Sequence, residues 1–153
     1  MSFELFIKKW GSVSYPPKSV GADALAEIEG YFGSPFPHAY KSAALTHGLP
    51  SITAALLNSI VDRELDVCSI GSFLKPNEII PITEGYRRAG MPNDFVGFAT
   101  DGGGNLHGFR VRNGVLAPEV WFFDHDFLEV DFEAPDFDAW IERYCGIEPV
   151  PEE

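Results

Sequence analysis

The densest group of chemically capable side chains in this sequence is Asp124-His125-Asp126. Carboxylates beside a histidine can hold its proton or share a metal ion with it, and Asp101 and His107 upstream complete a candidate set for a metal-assisted hydrolase. Strand geometry works against that set. Read as one strand, Trp121-Phe122-Phe123-Asp124-His125-Asp126 sends neighbouring side chains to opposite faces, so His125 parts from both acids and a metal needs His107 to converge from elsewhere. Gly102-Gly103-Gly104 is the second candidate, since successive bare amides can cradle an anion. No Gly-Lys-Ser/Thr follows it, and His107 stands where a dinucleotide fingerprint needs its third glycine. A turn braced by the Asp101 and Asn105 side chains is the better reading. No serine lies in a Gly-x-Ser-x-Gly elbow, and neither Cys68 nor Cys145 has a CxxC partner or a nearby histidine. His38 and His47 fall near predicted helix ends, where packing or capping accounts for them. The expectation is a protein without catalytic residues, metal ligands or cofactor.

The elements that must position these groups are legible around the glycines. Phe95 to Asp126 reads as strand, glycine turn, strand, a second turn at Asn113-Gly114, and a third strand from Glu119 to Phe123. Next come Leu128, Val130 and Phe132, alternating with Glu129, Asp131 and Glu133, the period of a strand with one core face and one acidic face. Trp121, Phe122 and Phe123 are expected mostly in the core, with alternate members facing inward, which leaves Phe122 or the pair around it for a partner.

Ser2 to Trp10 reads as a strand or packed arm, ended by Tyr15-Pro16-Pro17. Leu25, Ile28 and Phe32 recur at helical spacing and stop at Gly33 and Pro35; Pro37 opens a second helix carrying Tyr40 and closing at Gly48. Ile52, Leu56 and Ile60 suit a third helix or a packed loop, and Lys75-Pro76-Asn77-Glu78 opens a short helical piece that Pro81 should interrupt. Arg87 and Arg88 form a pair too small for a nucleic-acid footprint. Pro135 opens a last helix with Phe137, Trp140, Ile141 and Tyr144 on one face and Gly146 at its end, and the tail beyond Pro149 is expected to fray. The sum is an α+β single domain over residues 1–153. A central, mainly antiparallel sheet (69–133) is covered by a helix pair (22–48) and a C-terminal helix (135–146), with an arm at 1–21.

Charge narrows the partners. The 153 residues carry 23 acids against 11 bases, a formal net charge of -12, which disfavours direct nucleic-acid binding because that affinity comes from cationic side chains displacing counterions. Between Asn113 and Glu142 lie nine acids, including Asp136, Asp138 and the six from Glu119 to Glu133, and no lysine or arginine. Such a field steers basic partners, and it also serves solubility. Residues MSFELFIKKW are too short for a membrane span, and their charges follow the apolar residues where a leader peptide has them first. Two cysteines suit a reducing cytoplasm.

The order of these signals resembles the SUKH superfamily, the bacterial relatives of the fungal Smi/Knr cell-wall-assembly regulators. Leu25, Ile28, Glu29, Gly33, Pro37, Tyr40 and Gly48 are similar to its helix pair; FATDGGGNLHGFRV with VWFFDHD, containing Asp101, Gly103, Asn105 and Trp121, to its glycine turn and aromatic strand; Phe137 and Trp140 to its last helix. Residues 49–68 follow no family pattern and read as an insertion. The resemblance implies a protein-binding scaffold without a shared catalytic residue, in bacteria often an immunity protein that neutralises a toxin. A basic toxin domain such as a nuclease would meet Phe122, Asp124, Asp126, Glu129, Asp131 and Glu133. A housekeeping scaffold binding a cellular protein, and the hydrolase, are the alternatives.

Overall fold

A computed structural model describes residues 2–151. The first element corrects the sequence reading: Ser2–Trp10 is a helix, α1, burying Phe3, Phe6 and Trp10. Their three- and four-residue spacing is that of one helix face, short enough to pass for irregular alternation. The face docks on the far end of the chain, where the Trp10 indole N–H donates to the Tyr144 carbonyl (2.9 Å) and Lys9 to that of Cys145 (2.8 Å).

Helices α2 (Ala22–Phe32) and α3 (His38–His47) form a tight pair. Gly33 takes the left-handed conformation (φ 74°) that ends α2, and the Glu29 carboxylate binds across the corner, accepting from the Phe36 N–H (2.7 Å) and Lys41 Nζ (3.0 Å). Pro37 sits just before the first turn of α3, and Tyr40 is buried among Phe36, Phe98, Phe109 and Phe137. Helix α4 (Ala54–Asp62) fills the segment that lacked a family pattern, burying Leu56 and Ile60. The tail is tied to it: Arg63 donates to the carbonyls of Glu148 and Pro149, and the Val150 N–H to Ser59 Oγ. The fraying expected beyond Pro149 does not hold at Val150, and Glu152 and Glu153 lie outside the described residues.

After β1 (Ser72–Phe73), helix α5 runs unbroken from Pro76 to Arg88. Pro81 does not interrupt it. The proline forfeits one hydrogen bond, to the Asn77 carbonyl, and both residues are exposed, so water takes its place. Strands β2 (Phe95–Thr100), β3 (Leu106–Arg112), β4 (Val115–Leu116), β5 (Val120–Asp124) and β6 (Glu129–Ala134) complete one antiparallel sheet in the order β1-β2-β3-β5-β6, with β4 on the outer end of β3. The chain closes with α6 (Phe137–Cys145), capped by Asp136 Oδ1 accepting from the Ala139 N–H.

Both faces of the sheet are covered, giving the α+β architecture of three layers. Phe73, Phe98 and Phe109 pack beneath α1, α3 and α6, with Trp140 in contact with Phe73, Phe98, Phe137 and Tyr144. On the opposite face Met91, Phe95, Leu106 and Phe123 form a smaller core under Ile82 and Tyr86 of α5. Gly108 in β3 is required by a close approach: a Cβ there would lie 2.4 Å from both the Phe95 ring and the Val96 carbonyl oxygen.

Two phenols are buried in this core, and the Cys68 thiol is half-buried beside it. Burial pushes the Tyr40 and Tyr144 phenols up, and burial followed by the charge of Glu133 pushes the Cys68 thiol up from 9.0 to about 12. A raised folded-state pKa contributes stability that is whole below the unfolded value and is lost as pH climbs toward the folded one. The melting temperature should hold below pH 9.0 and fall continuously from there to about 12, in Cys68→Ser less steeply than in wild type. A flat profile across that window would contradict the buried placement.

Candidate functional site

The β5–β6 hairpin brings the predicted acids together, with a different geometry from the one read in the sequence. Asp124 ends β5, and residues 125–128 form a turn, with Leu128 at φ 54°. His125 and Asp126 thus leave the strand, and one ligand atom from each of Asp124, His125 and Asp126 lies within 4.8 Å of the others. The separation expected from strand alternation does not occur, because the strand ends two residues earlier, at Asp124. Bracing explains the cluster: Asp124 Oδ1 accepts from the N–H groups of Asp126 (2.9 Å) and Phe127 (3.3 Å).

Asp101 does the same for the glycine turn. Its Oδ1 accepts from the N–H groups of Gly103 (2.7 Å) and Asn105 (3.0 Å), and its Oδ2 from the Asn105 amide (2.8 Å). Asn105 Oδ1 is thereby turned to His125, accepting from its backbone N–H (2.9 Å) and its Nδ1 (2.6 Å), which places the ring proton on Nδ1 and leaves Nε2 facing Asp126 at 3.3 Å. Gly104 (φ 95°) lies under this ring; a Cβ would meet it at 2.8 Å. The two turns are one hydrogen-bonded unit.

His107 is on the other side of the sheet and wholly buried. Its Nε2 donates to the Ser69 carbonyl (2.8 Å), and Nδ1 is hydrogen-bonded to Glu133 Oε2 (2.6 Å). Of the four groups of the hydrolase reading, Asp101, Asp124 and His125 lie in the two joined turns, while His107 is held apart from them by Ser69 and Glu133.

Two of the six residues expected to meet a partner lie inside. Phe122 pairs with His107 across β5 and β3, its ring 5.2 Å from the imidazole, because that face of the sheet lies beneath α6. The Glu133 side chain is only 4% exposed, held by His107 and with Arg143 Nη1 3.9 Å from its other oxygen. Glu133 shares the face of Asp131, and at this end of β6 that face lies beneath α6, so the last acid of the strand is enclosed where the earlier two are not. Trp121, expected in the core, is half-buried on the α5 side, with the guanidinium groups of Arg110 and Arg112 over its ring at 5.3 and 5.7 Å. Both faces of the sheet being covered, the parity argument that exposed Phe122 has no purchase.

The remaining acids gather at the open corner. Register sets Asp124 opposite Glu129 and Phe122 opposite Asp131, so Asp124, Glu129 and Asp131 share one face, and Asp126 stands at the turn beside them. Among the described residues none of Asp124, Glu129 and Asp131 has an ion-pair partner.

The apolar part of the corner was missed. Phe127, Leu128 and Phe132 are 74%, 51% and 55% exposed, with Phe132 edge-on to Trp121 at 5.5 Å. The alternation of Leu128, Val130 and Phe132 predicts an inward apolar face, and Phe127 carries no signal of its own; a strand's position at the sheet edge, where cover runs out, is a tertiary fact. A groove of about 410 Å³ runs beside them between α5 and the turn, lined by Ile82, Tyr86, Phe123 and Leu128.

No helix among the described residues is long and apolar enough to cross a membrane. A search of curated proteins finds no match. The family model of the SMI1 / KNR4 family (SUKH-1) matches residues 20–143, spanning the helix pair, α4, α5, the sheet and nearly all of α6. With the sequence matched over most of its length and every matched element in one fold, the chain belongs to the SMI1 / KNR4 (SUKH-1) family.

Proposed function

We propose that this domain is a non-enzymatic, cytoplasmic immunity module that covers a basic toxin domain, such as a nuclease, with its acidic corner. The observation that carries the reading is the like-charge pairing of Asp124 and Glu129 across the hairpin, beside Asp131 and without a compensating base among the described residues. Like charges set opposite on a sheet destabilise it, so a cationic partner that relieves them gains that energy on binding. The net charge of -12 adds long-range attraction. Family membership supports a protein-binding role in general.

The test is capture of partners from the native host at low salt by wild type and by a Glu129→Lys/Asp131→Lys variant of unchanged fold. Wild type alone should recover a basic toxin domain, and its association rate should drop by about tenfold or more between low and physiological salt and again on charge reversal. Recovery of an ordinary cellular protein instead would make this a regulatory scaffold. Binding indifferent to salt and to the reversal would remove the electrostatic basis.

A further inference from the structure

Strand β6 is the free edge of the sheet: it pairs with β5 alone, and β5 lies between it and β3. Alternate residues of an edge strand aim their N–H and C=O groups away from the sheet, ready for another strand. At one end the edge is closed, because Arg143 Nη1 donates to the Glu133 carbonyl at 2.9 Å. From Glu129 to Phe132 no other element of the described residues bonds to it.

The side chains along this open stretch say what can add there. Glu129 and Asp131 project from one face, and Phe132 projects from the other against Trp121. A second copy of the chain is a poor occupant: antiparallel pairing of β6 with itself sets acids opposite acids, between molecules each carrying a net charge of -12. An acidic edge that repels itself selects its opposite.

We infer that β6 is a strand-addition site, taking an extended segment of a protein partner in which lysine or arginine alternates with apolar residues. The bases lie against Glu129 and Asp131, the apolar residues against Phe132 and Trp121, and main-chain hydrogen bonds to Glu129–Phe132 supply the register. This deepens the proposed recognition of a basic partner and rests on it for the sign of the charge, while the backbone pairing is a separate claim.

The probe is a blocked synthetic peptide alternating lysine with valine and phenylalanine, added to the full chain, with amide hydrogen exchange read residue by residue. Two further peptides carry N-methyl groups on alternate residues, each removing the donors from one edge of the strand. The unmodified peptide should slow exchange at outward amides of β6 by roughly tenfold or more. One N-methylated peptide should lose binding and the other keep it, and Glu129→Lys/Asp131→Lys should weaken the unmodified peptide by about tenfold. Equal binding of both methylated peptides, protection confined to other elements, no binding, or a concentration-dependent dimer closed through β6 would each overturn the site. If a basic toxin domain binds with charge dependence but leaves β6 amides unprotected, the acidic corner stands and strand addition falls. Peptide pairing at β6 that ignores the charge reversal retains the edge and removes the electrostatic reading.

Discussion

Trp140→Ala should cost this protein about 3–5 kcal/mol of stability, the range for truncating a large aromatic in a packed interior. Trp140 is fully buried, and its ring meets Phe73, Phe98, Phe137, His107 and Tyr144 at centroid distances of 5.0 to 6.3 Å. Those neighbours come from β1, β2, β3 and α6, so a cavity there cannot be closed by the shift of one element. In a chain of this size the melting temperature should fall by roughly 10 °C. Trp140→Phe separates packing from polarity. The indole N–H makes no hydrogen bond of ordinary geometry among the described residues, so its removal costs little and the loss should be much smaller. Urea unfolding followed by far-ultraviolet circular dichroism measures both variants; equal, small losses would mean that Trp140 does not bridge the layers.

The second large effect is at Glu133. Glu133→Ala should destabilise by about 3–5 kcal/mol, because it strips a fully buried histidine of its partner. His107 cannot turn away, since Nε2 is held by the Ser69 carbonyl and the ring is packed between Phe122 and Trp140. Glu133→Gln retains a group that can donate to Nδ1 and should lose clearly less. In a double-mutant cycle with His107→Phe, the two changes should be far from additive, the second costing little once the first is made. Additive losses would show that the 2.6 Å contact contributes nothing as a pair. The same variants bear on function: Glu133 is inside the protein, so Glu133→Gln should leave the association rate of a basic partner unchanged, unlike reversal of Glu129 and Asp131.

Local signals were enough for the elements whose ends carry their own chemistry. Gly33 and Gly48 stop α2 and α3 because positive φ suits glycine, the glycine turn joins β2 to β3, and the aromatic face of α6 repeats at helical spacing. Helix α1 is not legible locally, because nine residues hold few repeats of any period and what favours its helix is α6 at the far end of the chain. Nor is the tolerance of Pro81, whose cost depends on whether the orphaned carbonyl is exposed.

What the amino-acid sequence determined by itself is the inventory: an α+β chain with a glycine-turned hairpin, a helix pair, an aromatic last helix and a strongly acidic third. Each follows from local conformational preference or from charge, neither of which needs long-range contacts. Tertiary structure alone decided which acids are surface. Alternation assigns Glu129, Asp131 and Glu133 to one face, yet that face is roofed by α6 at one end and open at the other, so Glu133 became a buried partner of His107 while Glu129 and Asp131 stayed outside. It likewise left Phe132 uncovered at the edge and placed Phe122 beneath a helix. Burial belongs to the arrangement of layers, and a strand's own sequence does not say where its sheet ends.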